Sequence, residues 1–382
     1  MSEPWITLSD PDITRDEIAA VAEVLQSPQL SGGPAVAAFE AAFAGYLGRR
    51  HAIAVASGTI GLLLAFKAFG IGAGDEVIAS PYSWRETAHA IALAGATPVL
   101  ADIDYWSGVL VADKAAARIS ARTRCILAGN PNGHPAAWAE LRTIASRHGL
   151  LLIEDSTEAL GSVYQGARVG TFGDCSVFDF SQPGPLVCGE GGMLVTDDDA
   201  LACTLRRHRA RRVEERSSVV LGTVAPLQAE MSGLAAALGL AQLQRIDAIL
   251  ARRKLAESLY DEFIQSFEGI KPPYVGPDVD EVHWLLYVVH LGTRFSRSSR
   301  DAIAEDLKTE RVEAAAYCHP LHLQPLYFDM GYRRGNFLVT EKVADRAIAL
   351  PFHAHLGKDH IEFIVATMKD ASINVGAGSA IY

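Results

Sequence analysis

Between residues 50 and 200, short apolar runs alternate with stretches of helical periodicity, and that alternation leaves few folds open. Strands joined through helices must cross over, so they run parallel and lie buried beneath the helices on both faces. The clearest run is Leu150-Leu151-Leu152-Ile153, apolar without a break, as a strand covered on both faces requires. It ends in Glu154-Asp155. Residues 51–56, 76–79, 97–101 and 124–128 read as further strands, and residues 60–69 as a helix opened by Ser57-Gly58-Thr59. In open sheets of this kind, functional groups gather where the strands end.

The remainder of the chain carries other patterns. Residues 231–263 read as one long helix, closed by the K-P-P-Y sequence at residues 271–274. A strand-like stretch at 284–291 and a helix around 300–308 follow, and the tail at 371–379 reads as frayed. The expected architecture is α/β. A large domain, residues 1–245, holds a mainly parallel sheet, and a smaller C-terminal α+β domain covers residues 246–382. The net charge of −11 argues against nucleic acid or an anionic membrane as partner. No apolar run reaches the roughly 18 residues of a membrane span, and the start lacks the basic, then apolar, pattern of a signal peptide. The five cysteines show no C-x-x-C spacing, which suits a reducing cytoplasm and no structural zinc. Cys188 reads as a buried filler rather than a nucleophile.

Several positions carry chemistry. Ser57-Gly58-Thr59, between strand and helix, offers backbone N–H groups and two hydroxyls to an anion, although alone it more often marks a plain helix cap. Trp84 follows a strand within Y-S-W-R-E-T at residues 82–87, and a lone tryptophan is more often core. Asp155 and Glu158 lie in the run I-E-D-S-T-E at residues 153–158. Asp155 has a strand-end cap as its alternative reading. His319 and His322 could enter a site or be structural.

Residues 177–192 read V-F-D-F-S-Q-P-G-P-L-V-C-G-E-G-G. This resembles the cofactor loop of the DegT/DnrJ/StrS-type sugar aminotransferases, which reads roughly F-S-F-x-x-x-K-x-x-x-x-G-E-G-G. The other segments fit the same family over nearly the whole chain, including I-T-L-S at 6–9, V-G-T-F-G-D at 169–174 and P-L-H-L-Q-P at 320–325. The resemblance implies a fold-type I aminotransferase-like structure and a homodimer with active sites at the subunit interface. It also implies that Ser57, Gly58 and Thr59 hold the phosphate of pyridoxal phosphate, that Trp84 stacks on its ring and that Asp155 pairs with its pyridinium nitrogen. Glu158 would lie near the ring hydroxyl.

The chain departs from that pattern on this same cofactor. Gly184 stands where the family's Schiff-base lysine is expected, and no lysine lies elsewhere in the loop. Asp179 replaces a phosphate-binding serine, and Gln228 and Glu230 replace polar groups that reach the phosphate from the partner subunit. The expected protein is therefore a repurposed enzyme of sugar, aminocyclitol or other specialised-metabolite biosynthesis, antibiotics included. It uses no cofactor and no metal. It acts by acid–base chemistry, through Asp155, Glu158, Asp179, His319 and His322, on a small polar amine-bearing metabolite. One alternative is pyridoxal or pyridoxamine phosphate bound non-covalently, for dehydration or transamination. The other is a non-catalytic subunit paired with an active homologue.

Overall fold

The computed structural model describes residues 4–210, 225–265 and 269–378; the side chains of Arg85, Glu86 and residues 376–378 are not described. Gly222, the start of the segment bearing Gln228 and Glu230, lies outside the described residues.

Helices α1 (Arg15–Gln26) and α2 (Gly33–Leu47) precede the sheet. The large sheet is built from β1 (His51–Val55), β2 (Glu76–Ala79), β3 (Thr97–Leu100), β4 (Thr123–Gly129) and β5 (Leu151–Asp155), with β8 (Cys175–Asp179) and β9 (Gly192–Thr196). Between β5 and β8, the short strands β6 (Val163–Tyr164) and β7 (Ala167–Arg168) form a hairpin. The strand order is β1-β9-β8-β5-β4-β2-β3. The β5–β8, β4–β5, β2–β4 and β2–β3 pairs are parallel, while β9 runs antiparallel to both β8 and β1. The sheet is thus mixed and mostly parallel. The apolar run becomes β5, with Leu152 and Ile153 fully buried.

Six of the seven strands point their C-terminal ends the same way, because β1 is antiparallel to β9, which is itself antiparallel to β8. Helix α3 (Gly58–Ala68) leaves the end of β1 with Ser57 as its N-cap, the Ser57 hydroxyl accepting from Ile60 N at 3.3 Å. The motif therefore opens a helix, as expected. Helices α4 (Arg85–Leu93), α5 (Ala112–Ala116), α6 (Trp138–His148) and α7 (Asp199–Arg209) supply the other connections.

The long helix expected over 231–263 is broken. Helix α8 (Gly233–Gln244) and helix α9 (Ile246–Ile264) meet at Arg245 with a bend of 66°. Neither proline nor glycine stands at the break. Arg245 is drawn aside instead, to Asp12 at 3.1 Å and Glu17 at 2.5 Å, and Arg252 also pairs with Asp12. Beyond α9, strands β10 (Ile270–Lys271), β12 (Tyr287–Leu291), β13 (Ala315–Ala316) and β14 (Ala347–Leu350) form a second, antiparallel sheet ordered β10-β12-β14-β13. Strand β11 (Val279–Glu281) leaves it to pair with β6. Helices α10 (Arg297–Thr309) and α11 (Lys358–Gly378) cover one core here with α9. Of the tail expected to fray, residues 371–378 are instead the end of α11, held because Met368, Ala371 and Ser372 are buried, and residue 379 lies outside the described residues.

The N-terminal segment crosses between the two halves. Ile6 pairs with Val312, Leu8 N donates to Glu313 at 2.8 Å, and Phe352 N donates to Leu8 O at 3.0 Å. Among the described residues, no single helix is long and apolar enough to cross a membrane.

Candidate active site

A cavity of about 450 Å³ opens where β1, β2, β4, β5 and β8 end. Each strand exit contributes. Ser57, Gly58 and Thr59 come from the first, Ser83, Trp84 and Thr87 from the second, and Asn130 from β4. Asp155 and Glu158 follow β5; Asp179 and Ser181 follow β8. This is the place where an open α/β sheet exposes unpaired backbone groups and collects ligands.

Asp155, the last residue of β5, accepts from Thr87 Oγ1 at 2.7 Å and from Thr157 N at 3.2 Å. Burial pushes its carboxyl above the usual range, against the pull of those two donors. The residue before it, Glu154, points the other way into the protein. Its fully buried carboxylate accepts from Gly170 N at 2.6 Å, Phe172 N at 2.8 Å and Ser176 Oγ at 3.0 Å. Glu154 therefore ties down the V-G-T-F-G-D segment, a structural role that the sequence reading did not assign.

Glu158 is buried, and its Oε2 accepts from both Asn132 N and the Tyr317 hydroxyl. Burial is the main reason its carboxyl is pushed up to about 8, with nearby Asp155 adding to it and the two donors opposing it. With both bonds on Oε2, the proton held at neutral pH resides on Oε1. Trp84 forms one wall, 39% exposed, with its ring edge-on to Tyr317 at 6.4 Å.

Asp179 faces the cavity, but its oxygens are already engaged. Oδ2 accepts from Gly58 N at 2.6 Å, and Oδ1 from Ser181 N at 2.8 Å and Ser181 Oγ at 2.5 Å. It caps α3 and closes its own turn, so it serves as an anchor rather than as the free acid or base expected.

Neither histidine joins this group. His322 is fully buried, bonded to Glu341 at 2.9 Å and packed against the ring of Phe337. His319 is exposed and absent from the cavity lining. The P-L-H-L-Q-P motif places its second histidine in the protein core because Glu341, on a neighbouring helix, provides the partner that makes burial tolerable. Glu230, expected to bring a carboxylate to the phosphate end from the partner subunit, pairs with Arg209 of its own chain at 3.5 Å. Cys188 is buried, as read, with its thiol pushed up by burial.

The sequence reading missed Glu190, which lies in the G-E-G-G motif and lines the cavity. Asp155, Glu158, Asp179 and Glu190 thus surround one space. Among the described residues, no lysine, arginine or histidine lines it. Gly184 lies just outside the lining, next to Pro183, and a Cβ built on it would meet nothing closer than 3.4 Å.

The residues fit half of a pyridoxal phosphate. Asp155 and Trp84 suit a protonated pyridine ring. The phosphate end does not fit. Of the first three amides of α3, Gly58 is taken by Asp179 and Ile60 by Ser57. A carboxylate about 4 Å from each phosphate charge costs roughly 4 kcal/mol at an effective dielectric near 20. A helix terminus returns at most about 2 kcal/mol.

The model of the DegT/DnrJ/EryC1/StrS aminotransferase family matches residues 11–369. GDP-perosamine synthase of Caulobacter vibrioides is 34% identical over 367 residues, covering 96% of this chain and 98% of that protein. Spore coat polysaccharide biosynthesis protein SpsC of Bacillus subtilis is 33% identical over 377 residues, 96% and 97% of the two chains. Among solved structures, Helicobacter pylori PseC, an aminotransferase involved in the biosynthesis of pseudoaminic acid, superposes with a TM-score of 0.89 at 26% identity, covering 97% of this chain and 100% of that one. Other solved neighbours of the fold are in pyridoxamine phosphate and pyridoxal phosphate forms.

Proposed function

Since the chain belongs to the DegT/DnrJ/EryC1/StrS aminotransferase family, whose fold it shares, we propose that it is a lysine-less branch of that family. On this reading Gly184 occupies the Schiff-base position, and the protein works without pyridoxal phosphate. It acts on a small polar amine-bearing metabolite of sugar, aminocyclitol or other specialised-metabolite biosynthesis. The observation that carries the reading is the lining of the cavity: four carboxyl groups and, among the described residues, no cationic side chain.

Such a space attracts an ammonium group and repels a phosphate. Glu158 holds a proton on Oε1 at neutral pH and can donate it to a leaving or carbonyl oxygen. Asp155, oriented by Thr87, is the partner that accepts one. Two carboxyls set to different tasks by their surroundings can form an acid–base pair. Asp179 and Glu190 contribute negative charge rather than proton transfer.

The test is a binding screen of aminosugars and aminocyclitols by thermal shift, together with near-ultraviolet and visible absorbance of the purified protein after incubation with pyridoxal or pyridoxamine phosphate and gel filtration. Stabilisation by an amine that is lost in Glu158→Gln and Asp155→Asn, with no cofactor band, supports the reading. A retained cofactor band overturns it in favour of the second reading, a non-covalent pyridoxamine phosphate enzyme. That alternative is favoured by Asp155 and Trp84, which suit the ring.

A further inference from the structure

We infer that the anion cradle at the start of α3 is filled by the chain's own Asp179, and that this carboxylate is the residue that excludes phosphorylated ligands from the cavity. The observation is geometric. The Asp179 carboxylate receives the Gly58 N–H at 2.6 Å on one oxygen, and the Ser181 N–H and hydroxyl on the other. Those donors are the ones a phosphate arriving at this helix terminus would need. The fit is close: a Cβ built on Gly58 would lie 2.9 Å from Asp179 Cβ and 3.0 Å from its Oδ2. No room is left for a phosphate oxygen between helix and carboxylate.

The cradle itself is intact. Ser57 still caps α3 through Ile60 N, and Thr59 lies on the cavity wall. Only its occupant differs. Removing the Asp179 carboxylate frees three donors at once, from Gly58 and Ser181, and removes one negative charge from the same spot. Asp179 therefore acts as a specificity-determining residue: it selects unphosphorylated ligands. The inference is about the phosphate end alone, so it stands apart from the question of which reaction the Asp155–Glu158 end performs.

Three ligands test it on the full-length protein. Pyridoxamine and pyridoxamine phosphate share a ring and differ only in the phosphate; inorganic phosphate lacks the ring. Affinities are measured by calorimetry for the wild type, Asp179→Ser and Asp179→Ala, with circular dichroism and melting curves to establish that each folds. Asp179→Ala likewise removes the occupying oxygens and carries the test if the serine variant does not fold.

The expected result is a wild type that binds pyridoxamine phosphate more weakly than pyridoxamine, or binds neither, and does not bind inorganic phosphate. A folded variant should prefer the phosphorylated ring by at least about tenfold, or acquire inorganic phosphate binding where the ring compounds do not bind. Phosphate preference in the wild type overturns the inference, and so does a folded variant with neither preference nor phosphate binding. A wild type that binds both ring compounds equally also overturns it, because phosphorylated ligands then enter the cavity; an amine screen that finds no ligand sinks the function proposed above and leaves this inference standing.

Discussion

Glu158→Gln should change how stability depends on pH more than it changes stability itself. The carboxyl titrates at about 8 in the folded chain against 4.5 as a free group, because burial disfavours its charge. Below 4.5 both folded and unfolded chains carry the proton, and the group contributes nothing to the difference. Between 4.5 and 8 only the folded chain keeps it. Each pH unit in that window then weakens the fold by roughly 1.4 kcal/mol. Above 8 both states are ionised and the loss is complete. From pH 5 to pH 9 the wild type should lose on the order of 4 kcal/mol from this one residue. Glutamine keeps the oxygen that accepts from Asn132 N and the Tyr317 hydroxyl but has no proton to lose. Urea unfolding of both proteins at pH 5, 6, 7, 8 and 9, followed by tryptophan fluorescence, measures the gap. The variant should gain on the wild type steadily up to pH 8 and then run parallel to it. Asp155, also raised by burial, titrates in both proteins and largely cancels. A gap that stays constant to within about 1 kcal/mol across the range would refute the assignment of Glu158 as a buried neutral acid.

Other consequences follow from single contacts. Thr87→Val removes the 2.7 Å donor from Asp155 and should raise its titration further, read from carbon-13 carboxyl shifts; an unmoved midpoint would mean that the bond does not favour the charged form. Arg209→Met leaves Glu40 without its ion-pair partner in a largely buried place and should cost about 3 kcal/mol in urea unfolding, most of it recovered by adding Glu40→Leu. Gly192→Ala would place a Cβ 2.7 Å from Gly58 N and 2.8 Å from Phe178 O, both backbone atoms. It should cost more than about 3 kcal/mol or leave the chain insoluble. Gly184→Ala, with its nearest neighbour at 3.4 Å, should change stability by less than about 1 kcal/mol.

How far the sequence speaks for the structure differs from residue to residue. The strand ending in Asp155 was readable because an unbroken apolar run has one good home, the middle of a covered sheet. Ser57 was readable because a hydroxyl before a helical run is a cap signal. The break at Arg245 was not, because the run on either side is helical by period and the cause is a pair of carboxylates more than 220 positions away. The helical tail was hidden for a related reason. Its glycines and serine argue for fraying, and only burial against α9 and α10 overrules them. In the site, the position of Asp179 was readable and its charge was seen to oppose a phosphate. That it sits on Gly58 N depends on two segments 121 residues apart meeting at one strand edge. His322 looked available because a motif names a residue and not its neighbours.

The path of the N-terminal segment sets an order of assembly. Asp12 waits for Arg245 and Arg252, Glu17 waits for Arg245, and Leu8 waits for Glu313 and Phe352. On a ribosome adding roughly 5–20 residues each second, these partners emerge tens of seconds after the segment that needs them. Until then two acidic side chains and an apolar strip have nowhere to dock, and the large sheet can form without them. A stretch made before the large sheet is thus among the last to settle, and it closes the structure only after the second sheet exists. Amide exchange pulsed during synthesis should therefore find residues near 6–17 unprotected long after β1 to β5 have become protected.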